Sequence, residues 1–265
     1  MRLRLLLPAS LALIILAGAR REPSVAPAAL PVRWSEGTLH GFLELHTKDG
    51  DVLAHGDLLQ VPRDSDIESR LVFEFADSSV FRETVTFTQH GVFLMESYHL
   101  EQRGKAFPQD LEVTLARSGE YVVKTKSHED GAEQEHKGKL DDMPEDVYNG
   151  MIPVIGKNIP LKEGRTVHIV AFTPKPLVLP LAITPSGTDP VGWGGGGRQE
   201  TATRFTLKPK LNLLQRIGAK LKGQSPPDSY IWIVTSEVPA FVRFQGPLYS
   251  GPIWRIDLAG PRWPK

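Results

Sequence analysis

From about residue 34 to residue 258 most of the chain alternates apolar and polar side chains with a period of two. Over residues 38–47, Leu39, Gly41, Leu43 and Leu45 share one face and His40, Phe42, Glu44 and His46 the other, the pattern of a strand with one buried side. Asp49-Gly50 then signals a turn and residues 52–61 a second strand, so the pair predicts a hairpin. The same reading predicts strands at 70–75, 80–88, 92–101, 111–116 and 121–127, punctuated by His90-Gly91, Arg103-Gly104 and Ser118-Gly119. It resumes at 165–173, 177–183, 199–207, 230–236, 241–245 and 253–258. Regular spacing with short turns predicts an antiparallel meander. Such a sheet shows one face to water, which accounts for Glu120, Lys124 and Lys126 interleaved with Val123 and Thr125. Pro174, Pro176, Pro180 and Pro185 are expected to make irregular edges, because proline donates no ladder hydrogen bond.

Two segments change period. In residues 143–159, Pro144 suits a first helical turn, and Glu145 and Asp146 suit its positive end. A short helix is predicted there, ending or kinking near Pro153, with Val147, Met151, Val154 and Ile155 as the stripe packed on the sheet. In residues 208–222, helical spacing gathers Leu211, Leu213, Leu214, Ile217, Gly218 and Leu221 on one arc, opposite Asn212, Gln215, Arg216, Ala219 and Lys220. Gly223 stops it. The glycine-rich run at 192–197 reads as a loop or hairpin tip, since Arg198-Gln199 after it lacks the Lys-Ser/Thr of a phosphate-binding loop.

The ends of the chain have a different character. Arg2 and Arg4, the apolar run at 5–16 and Ala17-Gly18-Ala19 read as a signal peptide over residues 1–19, followed by a Pro/Ala-rich tether at 20–33. Arg20 and Arg21 after the cut leave an uncleaved leader as the competing reading. Residues 34–258 are then expected to form a single β-rich domain, with a Pro-rich tail at 259–265. The expected destination is the bacterial periplasm or exterior. There is no cysteine, which excludes disulfides, thiol-bound metals, cysteine nucleophiles and a lipidated N-terminal cysteine. With 31 basic and 31 acidic side chains the net charge is zero, so no global field favours nucleic acid.

Candidate chemistry is sparse. There is no G-x-S-x-G elbow, no S-x-x-K and no H-E-x-x-H, and no cofactor is implied. His40 and His46 share a strand face with Glu44, and His128, Glu129, Glu133, Glu135 and His136 cluster at a turn. Both groups read as solvated polar side chains before they read as metal sites. The loop carboxylates Asp64, Asp66 and Glu68 lack the central glycine and distal glutamate of an EF-hand and read as a solvated turn. The positive hint is the basic amphipathic segment. Leu211, Leu214, Arg216, Ile217, Lys220 and Leu221 are the candidate residues for a lid over the sheet or a contact with a membrane surface.

The order of elements carries a resemblance. A leader, G-F-L-E-L and A-H-G-D-L-L-Q in the first hairpin, the mid-chain M-P-E-D-V-Y-N-G-M and a late W-R-I-D-L resemble an uncharacterised family of exported bacterial proteins, similar in turn to the periplasmic lipoprotein carriers. The resemblance implies a mainly β fold: a strongly curved antiparallel sheet, a half-barrel or open barrel, with one or two short helices covering its concave face. It also implies a cavity for an apolar or lipid-like ligand. The inward positions Phe73, Phe75, Phe87, Phe93, Leu115, Val123 and Trp232 are expected to line core or cavity. An exported, non-enzymatic binding protein is therefore the leading expectation. A hydrolase or metal enzyme with a dispersed site is one alternative. An outer-membrane β-barrel is another, weakened because residues 80–88 alternate Phe81, Glu83, Val85 and Phe87 with Arg82, Thr84 and Thr86, leaving neither face free of charge.

Overall fold

The period-two segments pair with their neighbours in sequence and build one antiparallel sheet. A computed structural model describes residues 29–172, 176–192, 199–211, 228–235, 238–249 and 251–260. Its first meander contains β1 (Leu39–His46), β2 (Val52–Arg63), β3 (Asp66–Phe75), β4 (Val80–Thr88), β5 (Leu94–Arg103), β6 (Gln109–Ala116), β7 (Glu120–Ser127) and β8 (Glu133–Lys139). After helix α1 (Ile152–Asn158) the second contains β9 (Arg165–Ala171), β10 (Leu177–Gly192), β11 (Gln199–Pro209), β12 (Ser229–Val234), β13 (Ala240–Gly246) and β14 (Trp254–Ala259). The fourteen strands lie in the order β8-β7-β6-β5-β4-β3-β2-β1-β14-β13-β12-β11-β10-β9, an open sheet with β8 and β9 at its edges. Pairing of β1 with β14, Leu43 opposite Leu258 and Leu45 opposite Ile256, joins the two meanders.

The fold is thus mainly β, curved and open. Inward side chains from strands of both meanders and from α1 form one apolar core, including Leu45, Phe73, Phe87, Val113, Ile155, Phe205, Ile231 and Ile256. α1 packs on β12 and β13. The charged β8, almost wholly exposed, ends the sheet in a form that discourages pairing with another chain.

The stretch between β8 and β9 crosses from one sheet edge to the other. Backbone pairing of Val147 with His168 of β9 is parallel, with Tyr148 N donating to His168 O and His168 N to Asp146 O. The buried Tyr148 hydroxyl accepts from Leu30 N at 2.7 Å and donates to Phe93 O at 3.1 Å. Asn149 bonds both backbone groups of Val170, as a neighbouring strand would. Asn149 and the backbone pairing hold residues 146–149 against β9 while Tyr148 ties them to Leu30 and Phe93, so the helix expected from Pro144 begins instead at Ile152. Pro153 stands in its first turn, where its missing N–H costs nothing, and does not end it. Val147, Met151, Val154 and Ile155 are all buried, though only the last two lie in the helix.

Several other expectations need correction. The tether expected through residue 33 is packed from Ala29 onward: Leu30 is 2% exposed, and Pro31 bridges Val92. β8 replaces the turn expected around residues 133–136. β10 continues through Pro180, Pro185 and Pro190, and the irregularity expected of these prolines is found at Pro185, where the register with β11 shifts before Gly187. Beyond Ile183 it has no β9 partner, so Pro185 and Pro190 sit where one side of the strand is an edge and a missing donor is tolerated. Trp232 lies outside the main core: Ile231 and Ile233 face that core, while Trp232 joins Val191, Ala202, Val234 and Val242 in a second cluster. Its indole donates to Asp189 at 2.7 Å. The helix expected from Lys208 does not start there, because Lys208 and Pro209 belong to β11 and Lys210 N continues the ladder to Pro180 O. Ala259, expected in the tail, completes β14.

Candidate functional site

A cavity of about 120 Å³ lies between the concave sheet and the turn leading into α1. Its walls are Leu43 of β1, Leu58 of β2, Leu71 of β3, Phe81 of β4, Ile231 of β12, Phe241 and Phe244 of β13, Ile256 of β14, and Leu248, closed by Gly150, Ile152 and Pro153. One charged side chain is among them, Glu83 of β4. Alternation puts it there: in β4, Phe81, Val85 and Phe87 are buried on the inward face, and Glu83 occupies the same row opposite Leu71 and Leu100.

The carboxyl is built into an aromatic wall. Tyr98 of β5 donates its hydroxyl to Glu83 Oε1 at 2.8 Å. The Tyr98 ring stacks on Phe172, with centroids 6.1 Å apart and planes 5° from parallel. Behind it the Tyr249 hydroxyl accepts from Phe172 N at 2.6 Å and donates to Phe172 O at 2.9 Å. Gly150 allows the turn to close over this wall. Its φ of +72° favours glycine, and a Cβ there would meet the Tyr98 ring at 3.1 Å and Val85 at 3.2 Å.

Burial sets the electrostatics. Desolvation pushes the Glu83 carboxyl up to about 7, against the downward pull of the Tyr98 hydrogen bond. Desolvation first, and the Glu83 charge second, push the Tyr98 hydroxyl well above the usual phenol range. Burial likewise raises Tyr249. Near neutral pH the cavity therefore presents a carboxyl shared between its neutral and ionised forms. Among the described residues Glu83 is the one titratable group lining the cavity, and its nearest polar partner is the Tyr98 hydroxyl.

A wider groove of about 570 Å³ lies beside the cavity, with Leu58, Pro153 and Phe241 lining both. At the groove Leu39 is 37% and Val238 66% exposed. Its polar wall contains Glu36, which holds Lys157 of α1 at 2.7 Å and accepts from Gln60 at 2.8 Å.

The residues singled out from the sequence lie elsewhere. His40 pairs with Asp57 at 2.7 Å, while His46 lies 3.5 Å from Glu44 and 3.7 Å from Asp257. The residues at 128–136 do not share a site: His128 pairs with Asp110 at 2.7 Å, Glu133 with Lys126 at 2.8 Å and Glu135 with Lys137 at 2.8 Å. Asp66 accepts from Ser65 and Glu68 from Arg70. Among the described residues no three His, Cys, Asp or Glu side chains converge as metal ligands. Of the candidate lid residues, Leu211 follows β11 and is half-buried, whereas Leu214, Arg216, Ile217, Lys220 and Leu221 lie outside the described residues, as do the leader and residues 193–198. Phe73, Phe75, Phe87, Phe93, Leu115 and Val123 belong to the core and not to the cavity lining. Glu83 escaped the sequence reading as a site. The available signal was a single carboxylate in the row Phe81, Glu83, Val85, Phe87.

No family model matches the chain, and no curated protein is similar to it. Among solved structures, a beta-barrel-like protein of the domain of unknown function DUF1849 from Brucella abortus is similar over 88% of this chain and 98% of that chain, at 10% sequence identity and a TM-score of 0.42.

Proposed function

We propose that this is an exported, non-enzymatic protein that binds an apolar or lipid-like molecule in its curved sheet. The observation that carries the reading is the apolar cavity beside a groove that exposes Leu39 and Val238, with Leu58, Pro153 and Phe241 lining both. At about 120 Å³ the cavity is close to, though below, the ~150 Å³ pocket that takes one benzene ring, so it suits a short chain end or at most a single tightly held ring, with any longer part in the groove. In this reading the basic segment after β11, with Arg216 and Lys220, serves as lid or as contact with a membrane surface. An outer-membrane barrel is the weaker reading, because a sheet ending on an exposed, charged β8 leaves backbone groups that lipid cannot satisfy.

The test is to purify the protein, extract it for co-purifying lipid and titrate it with a fluorescent fatty-acid probe and with toluene. Saturable binding that Leu58→Trp abolishes, by adding bulk to the shared lining, is the expected result. Absence of extracted lipid together with absence of binding by every probe would remove the reading.

A further inference from the structure

Among the described residues Glu83 is the one charged side chain in the cavity lining, and the hydroxyls beside it already have partners. The Tyr98 hydroxyl donates to Glu83, and the Tyr249 hydroxyl both accepts from and donates to the Phe172 backbone. Among the described residues the cavity lining contains no lysine, arginine or histidine. Glu83 is thus the group with which an occupant must come to terms.

Three classes of head group fare differently there. A carboxylate or phosphate would enter a low-dielectric space opposite a like charge, with no cation to offset it. A plain hydrocarbon fills the volume and leaves the carboxyl without compensation. An ammonium group on an apolar body supplies both the fill and a charge-assisted hydrogen bond to the carboxylate. We propose that the cavity is a selective site for hydrophobic amines, which place a ring or short chain among Leu43, Leu71, Phe81 and Ile256 and their ammonium on Glu83. This rests on the apolar-binding reading above and narrows it to a ligand class. Where Glu83 is neutral it releases its proton to solvent as the ammonium enters, leaving a carboxylate–ammonium pair with no net charge in the cavity.

Isothermal titration of the purified protein at pH 7.5 with benzylamine, toluene and benzoate separates the two claims. Benzylamine is expected to bind at least tenfold more tightly than toluene, and benzoate not to bind. In Glu83→Gln that preference should disappear while toluene affinity is kept; Tyr98→Phe, which keeps the carboxyl, should retain it. If benzylamine binds no better than toluene, or if the preference survives in Glu83→Gln, the amine assignment is overturned and apolar binding stands. If Glu83→Gln does not fold, loss of the preference in Tyr98→Phe overturns the assignment in its place. If none of the three probes binds the unmodified protein, both claims fall together.

Discussion

On β4 the inward Glu83 stands among leucine, isoleucine and phenylalanine side chains, whereas the carboxylates of Glu133 and Glu135 on β8 stand in solvent beside Lys126 and Lys137. The same functional group is pushed in opposite directions. Burial raises Glu83 to about 7, while hydrogen bonds and charge from their lysines hold Glu133 and Glu135 below the ordinary carboxylate range. The difference separates two uses of charge. A row of exposed pairs along an edge is cheap, screened and replaceable, and keeps the edge from pairing with other chains. A single carboxyl in an apolar wall is costly to ionise, and it is the one charged side chain that the described residues bring to the cavity.

The comparison can be broken most forcefully with two glycines. Gly150 over the cavity and Gly131 in the β7–β8 turn have nearly equal φ, +72° and +71°, but a Cβ at Gly131 meets nothing within 4 Å. Gly131→Ala should cost about 1 kcal/mol, the backbone term alone, and Gly150→Ala about 2–4 kcal/mol, because the Tyr98 wall must also yield. Equal shifts in urea unfolding would show that the cavity wall is not tightly packed.

A pH series comes next. From about 4.5 up to about 7 the folded state keeps the Glu83 proton that the unfolded chain has lost, so its contribution is full at low pH and is lost as pH rises through that window. The change should be roughly 1–3 kcal/mol, and Glu83→Gln should flatten it. Glu133 and Glu135 act with the opposite sign. Their lowered values give stability above the ordinary carboxylate pKa that is lost as pH falls through the folded values. Urea midpoints at pH 5 and 8 for the protein and for Glu83→Gln read the Glu83 slope, and a further series below pH 5 reads the opposite one.

Smaller still, Tyr98→Phe removes the hydrogen bond that opposes desolvation, so Glu83 should titrate higher by NMR and the protein should lose about 1 kcal/mol. Smallest of all, Lys126→Ala should leave the urea midpoint unmoved. A clear loss there would mean that the β8 edge is more than a screened surface.

What could be read in advance follows from these two faces. Where one side of a strand is buried, alternation is unmistakable, and residues 80–88 were delimited as β4 is found. β8, Glu-Gln-Glu-His-Lys-Gly-Lys, has no apolar side, so no period marks it. The 146–149 segment was mistaken for helix because Tyr148 and Asn149 bind groups on distant strands, Phe93 and Val170, that local spacing does not reveal. Glu83 was placed on the correct face, but curvature decides whether a face becomes core or cavity, and curvature is a property of the assembled sheet. The partnership of β1 with β14 was equally hidden, since nothing local to either strand names the other.

That partnership also governs how the chain can assemble. Every other strand pairing in the sheet joins consecutive strands, so each meander can zip from its own hairpins in local, fast steps. Leu45 and Ile256 meet across more than 200 residues. Closing that contact carries the largest loop-entropy cost in the molecule and is the natural slow step. Because the cavity draws its walls from β1 to β4 on one side and β12 to β14 on the other, it comes into existence only when that last pair of strands meets.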